Sequence, residues 1–144
     1  MKKRIVVGYD GSGASDNAVD FAVNLAKASQ AGLVIAHVLE WSPYTFLTPT
    51  EIEERHARRT EELERAHTAV LDPVMQKLSK DGVEAASELR YGHIAETLIK
   101  IADEDGVEQI VIGRTGHSQL STRVFGSVAG SLAQAAPVPV TIVP

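Results

Sequence analysis

Five short strand-like runs, four of them apolar and rich in Val and Ile, are separated by stretches of helical periodicity, and this alternation limits the chain more than any other feature. The runs are "IVVG" at 5–8, "LVIAHVL" at 33–39, a weaker one from about Glu84 to Tyr91, "QIVIG" at 109–113 and "VPVTIVP" at 138–144. Runs this short, apolar throughout, read as strands buried on both faces. The order β-α-β-α-β-α-β-(loop)-α-β implies a parallel sheet with helices on both faces, and right-handed crossovers narrow its topology.

The helical stretches carry their own punctuation. In "SDNAVDFAVNLAKASQAG", Val19, Ala22, Val23 and Ala26 recur at helical spacing; Ser15 is the expected N-cap and Gly32 the expected stop. "TEIE" at 50–53 reads as a capping box with Thr50 as N-cap and Glu53 reaching back. The helix behind it is charged, with Glu51–Arg55, Glu54–Arg58 and Glu61–Arg65 at favourable i,i+4 spacing. Ile52, Leu63, Val70 and Val74 leave one narrow apolar stripe. Pro73 is expected to kink or split this helix, and Asp81-Gly82 to end it. "HIAETLIKIADEDG" and "SVAGSLAQAA" supply two further helices.

With 144 residues, 44% of them apolar, the chain reads as one globular domain, residues 1–144. Its net charge of −5 gives no general attraction to nucleic acid or anionic lipid. It has no cysteine, which excludes disulfide frameworks and thiolate metal sites. Lys2, Lys3 and Arg4 resemble the start of a signal peptide, but the apolar run stops at Gly8, too soon for a signal core. No stretch approaches membrane-spanning length. A cytoplasmic protein with no nucleic-acid partner and no membrane insertion is the expectation.

The connection "GRTGHSQLSTRVFGS", Gly113 to Ser127, is long for a compact domain. It leaves the carboxyl end of the fourth strand, where open parallel sheets bind ligands. It ends where Gly126-Ser127 opens a helix, whose N-terminus is suited to anions. Gly126 lets backbone approach a phosphate, and Gly113 and Gly116 can form a tight turn at the other end. Two common phosphate motifs fail. No Gly-Lys pair exists for a P-loop, and a dinucleotide fingerprint begun at Gly11 and Gly13 meets Asp16 where its third glycine belongs. Long Gly/Ser loops are also often only loops, so spacing alone leaves both readings open. Asp10, in "DGS", either caps a turn or touches a ligand. Arg114 and Arg123 could balance phosphate charge, although Arg123 reads equally as a surface residue. His37 reads as a satisfied core histidine, His56 and His67 as members of the charged helix, and His93 as the start of a helix. His117 is the histidine within the loop. Trp41, Tyr44 and Phe46 read as anchors or as an exposed patch.

The loop also resembles the G-x2-G-x9-G-[ST] signature of the ATP-binding universal stress protein family, matched by Gly113, Gly116, Gly126 and Ser127. "DGS" at 10–12, "GHIAETLIKIADEDGVEQIVIGRTGHS" and "GSVAGSLAQAAPVPVTIV" extend the resemblance over almost the whole chain. It implies an open five-stranded parallel sheet of order 3-2-1-4-5, adenine nucleotide alpha hydrolase-like. It implies ATP as ligand, with or without Mg2+. Gly8 and Tyr9 would line the adenine side, Val38 would offer its backbone to the adenine edge, and Asp10 would contact ribose or a metal–phosphate group. Ile112 and Gly113 would flank the ribose; Gly116, Gly126, Ser127 and Val128 would hold the phosphates. The Gly8-Tyr9 pair departs from many members, which have a small residue or Pro there. The last strand is apolar and at an edge, which invites association; the family pairs it across a two-fold axis. A homodimer is expected, with a tetramer as the next assembly. The expected function is a nucleotide-dependent regulator or sensor acting through oligomerisation and partner binding. The alternative is a slow ATPase or adenylyl or phosphoryl transfer enzyme, for which no residue sequence compels a catalytic role.

Overall fold

A computed structural model describes residues 3–40, 48–116 and 126–144. The elements in order are β1 (Arg4–Gly8), α1 (Gly13–Ser29), β2 (Gly32–Glu40), α2 (Pro49–Ala66), a π-helical turn (His67–Leu71), α3 (Asp72–Lys80), β3 (Ala85–Gly92), α4 (Ile94–Asp105), β4 (Gln109–Gly113), α5 (Ser127–Ala135) and β5 (Val140–Val143). The five strands form one parallel sheet in the order β3-β2-β1-β4-β5. Central β1 takes β2 on one side and β4 on the other, with Val7 opposite both Ile35 and Val111.

Alternation of side chains sends Ile5 and Val7 to one face and Val6 to the other. Ile5, Val7, Leu33, Ile35 and Val111 pack beneath α1 and α3, with Ala18, Ala22, Leu71 and Leu78. Val6, Val34, Ile110 and Ile112 pack on the opposite face against α4 and α5, through Leu98, Ile101, Ala129 and Leu132. Ile5, Val6 and Val7 are all buried, as the unbroken apolar runs require of a sheet covered on both sides.

Several boundaries differ from the expected ones, each for a local reason. Ser12, not Ser15, caps α1: its hydroxyl accepts the Ser15 N–H at 3.2 Å. Ser15 lies one turn inside, its own hydroxyl donating to the Ser12 carbonyl at 2.9 Å. Gln30, in the left-handed region at φ 56°, ends that helix; Gly32 opens β2. The capping box is Thr48 with Glu51, shifted two residues from Thr50 and Glu53, because Pro49 suits the first helical position, where no N–H is needed. Pro73 splits the helix as expected. Asp72 and Pro73 open α3 after a π turn in which Asp72 N–H bonds the His67 carbonyl.

Of the expected stripe, Val74 is buried and Leu63 and Val70 half-buried, whereas Ile52 is 43% exposed. Only Ala66 of the 18-residue α2 is buried. The Tyr91 hydroxyl donates to Glu62 at 2.5 Å, and the Arg59 guanidinium lies 5.1 Å from the Tyr91 ring centre. Of the expected ion pairs, Glu61–Arg65 spans 4.0 Å between exposed side chains and contributes little.

Gly113 ends β4 against the first turn of α1. A Cβ there would lie 2.8 Å from both the backbone carbon and the Cβ of Ala14. Gly113→Ala is therefore expected to destabilise the fold by about 1–3 kcal/mol, read as a lower urea midpoint. Gly130→Ala, in the interior of α5 with nothing within 4 Å, should raise it by about 0.5–1 kcal/mol.

Candidate functional site

Strand order reverses between β1 and β4, since the connection after β1 runs to β2 on one side and β4 leads to β5 on the other. Helices following the two strands cover opposite faces, so the carboxyl ends of β1 and β4 border a crevice. A cavity of about 880 Å³ occupies it, within the range of small-molecule sites. All ten residues expected to contact a nucleotide border this one cavity: Gly8, Tyr9 and Asp10 from the end of β1, Val38 from β2, Ile112 and Gly113 from β4, Gly116 beyond it, and Gly126, Ser127 and Val128 at the start of α5.

The α5 end of the cavity is made of backbone. The first intrahelical bond runs from Gly130 N–H to the Gly126 carbonyl at 3.1 Å. The amides of Ser127, Val128 and Ala129 precede it, and all three residues border the cavity. Gly126, at the N-cap position, supplies no side-chain cap. The helix start is held to the sheet by Gly126 N–H bonding the Arg114 carbonyl at 2.9 Å, while Arg114 N–H bonds the Val143 carbonyl at 2.7 Å. A Cβ at Gly116 would lie 2.9 Å from Asp10 Oδ2, so this glycine allows loop and carboxylate to meet.

Asp10 closes the turn, as one of its two expected readings has it, and lies at the cavity. Its Oδ1 accepts the Ser12 N–H at 2.9 Å, closing the turn through Gly11 at φ 80°, and its carboxylate also borders the cavity. Tyr9 N–H bonds the Ala36 carbonyl at 2.8 Å, and its hydroxyl donates to Asp16 Oδ1 at 2.7 Å. Burial first, then the bond to Asp16 and its charge, push the Tyr9 phenol well above its ordinary range. His37 is buried as expected, with Nδ1 2.8 Å from the Tyr9 carbonyl oxygen. Glu40, Val70, Ile94, Leu98 and Thr115 also border the cavity and were not expected there. Ile94 and Leu98 belong to an apolar stripe that reads as ordinary core, and Val70 arrives through the π turn, which helical periodicity does not encode. Arg114 borders the cavity too, and its Nε is buried with no hydrogen-bond partner among the described residues. His56 is exposed; His67 Nδ1 lies 3.1 Å from Asp72 Oδ1 at the surface. His117, Arg123, Trp41, Tyr44 and Phe46 lie outside the described residues. Among the described residues, no helix is long and apolar enough to cross a membrane.

Sheet order and crevice together define a doubly wound α/β protein with a ligand-sized cavity at its switch point. The chain belongs to the universal stress protein family, whose model matches residues 1–144. It is 33% identical over 147 residues to universal stress protein YxiE of Bacillus subtilis, with 99% of each chain covered. Among solved structures, universal stress protein UspA from Lactobacillus plantarum superposes with a TM-score of 0.80 at 27% identity, covering 100% of this chain and 99% of that one. A universal stress protein in complex with cAMP is 30% identical, with a TM-score of 0.61 and 99% and 96% coverage.

The two described tyrosines give the fold a measurable alkaline signature. Tyr91 is pushed up to about 12, by burial first and then by its bond to Glu62, and Tyr9 higher still. An unfolded tyrosine ionises near 10.0, so the native chain keeps these two protons longer than the unfolded one. The stability linked to them is complete below pH 10 and is lost as pH rises through the folded values. In urea melts from pH 9 to 12, Tyr9→Phe should show a shallower loss of stability than the parent chain.

Proposed function

We propose that this chain binds ATP at the β1–β4 crevice and acts as a nucleotide-dependent regulator or sensor through oligomerisation and partner binding, its 144 residues forming one domain. The observation that carries this reading is the row of amides at the start of α5, which borders a cavity where glycines replace side chains. Such a helix start carries roughly half a positive charge. That local field offsets the overall negative charge of the chain. The relative solved with cAMP supports an adenine nucleotide as the ligand class.

Gly116, Gly126, Ser127 and Val128 would hold the phosphates, with Ile112 and Gly113 beside the ribose. Gly8, Tyr9 and the Val38 backbone would take the base. Mg2+ would be held by the phosphates and Asp10, since this ion accepts one or two carboxylates together with substrate phosphate oxygens. Calorimetry tests the site directly. Gly126 sits at φ −58°, and a Cβ there would lie 3.4 Å from the Arg114 carbonyl oxygen, an ordinary contact at a backbone angle that any residue adopts. Gly126→Val should weaken ATP binding by about tenfold or more, the equivalent of roughly 1.4 kcal/mol, with an unchanged circular dichroism spectrum. Unchanged affinity overturns the site. A turnover assay separates the regulator from the slow-ATPase alternative.

The assembly would form at β5. The Ile110 N–H bonds the Pro139 carbonyl and the Arg114 N–H the Val143 carbonyl, so residues 139, 141 and 143 turn their backbone groups toward β4. Val140 and Ile142 turn theirs outward, where a second copy of the strand would pair. Sedimentation should give a dimer for the parent chain and a monomer for Ile142→Pro, which removes one outward donor at a position where an edge strand tolerates proline.

A further inference from the structure

We propose that His37 reads the 6-amino group of the bound base, so that the cavity prefers 6-aminopurine nucleotides over those with a bare or 6-oxo position. The inference rests on the nucleotide reading above and extends it to a side chain that neither the glycine signature nor the expected contacts include.

Nδ1 of His37 lies 2.8 Å from the Tyr9 carbonyl oxygen. A carbonyl oxygen only accepts, so Nδ1 carries the proton. In the neutral ring Nε2 is then a bare acceptor. His37 is 8% exposed and is among the residues that border the cavity. Among the described residues nothing donates to Nε2, and it is not sealed in, because the one fully buried side-chain polar atom without a partner is Nε of Arg114. The two ring nitrogens point to different sides, so the bond to Tyr9 fixes the ring with Nε2 turned away from the Tyr9 carbonyl. Tyr9 is itself fixed by its N–H bond to Ala36, and the acceptor is therefore held in place before any ligand arrives.

Its position identifies the ligand group. His37 is on β2, and β1 separates β2 from β4. Neighbouring strands are about 4.8 Å apart, so β2 lies about 10 Å from the strand that leads into the α5 amides. With its phosphates on those amides, a nucleotide extends its base, not its ribose, to β2. A lone acceptor there favours a base carrying a donor. Adenine presents its 6-amino group, whereas hypoxanthine presents a 6-oxo acceptor that leaves both its oxygen and Nε2 unpaired.

The test compares three probes by calorimetry: ATP, purine riboside 5′-triphosphate and inosine 5′-triphosphate. Two variants accompany the parent chain. His37→Asn keeps an amide donor for the Tyr9 carbonyl and removes Nε2, and His37→Phe removes both nitrogens. The parent should bind ATP about tenfold more tightly than either analogue, as one buried hydrogen bond predicts. In His37→Asn that preference should shrink to within about twofold, through weaker ATP binding and not through tighter analogue binding. A parent chain without the preference, or a His37→Asn chain that keeps it in full, overturns the role of His37 while leaving the nucleotide reading standing. Absence of heat with all three probes overturns both. Should His37→Phe fail to fold, His37→Asn decides alone.

Discussion

The arrangement depends on β1 being hydrogen-bonded on both sides to parallel neighbours that continue in opposite directions around the sheet. One connection places α1 beneath the sheet and the other places α4 and α5 above it. No helix then crosses the gap beyond the ends of β1 and β4, and the crevice follows from connectivity alone. The apolar β1 core anchors both walls. Val6 and Val7 have no exposed surface, so neither wall moves without disturbing a fully packed strand.

Glycine has separate purposes around this crevice. At Gly113 the constraint is steric contact with Ala14, a matter of how tightly α1 approaches the sheet. At Gly116 it is the approach of the Asp10 carboxylate, and at Gly126 it is the bare start of a helix. A spacing pattern records all three as the same letter. Only the surroundings separate a glycine that holds the fold from one that leaves room for a ligand.

Strand identity and the parallel sheet were legible because each depends on a strong, repeated signal, unbroken β-branched runs in strict alternation with helices. The strand order and the ten residues around one cavity rested instead on the resemblance to the universal stress protein family, carried by Gly113, Gly116, Gly126 and Ser127. Helix starts were less legible, since several hydroxyls in a row are chemically able to cap. Ser12 prevails over Ser15 because Asp10 already holds the Ser12 amide, and Thr48 prevails over Thr50 because Pro49 takes the next position. The π turn at His67–Leu71 was hidden altogether. Its extra residue per turn rotates the apolar stripe, bringing Val70 to the cavity. Ile52, in the first turn of α2, is 43% exposed, and among the described residues only Ala66 of that helix is buried. His37 reads from sequence as ordinary core, and it is buried; what sequence does not convey is that one ring nitrogen is bonded to the Tyr9 carbonyl.

That same π turn is where α2 joins the packed body of the molecule. Beyond it stands a helix about 27 Å long at the usual rise per residue, which meets Tyr91 of β3 through Glu62 and Arg59. Geometrically this is an arm whose root, at Val70, forms part of the cavity wall. The charged surface of α2 and the wall of the crevice therefore meet at this one turn of the chain.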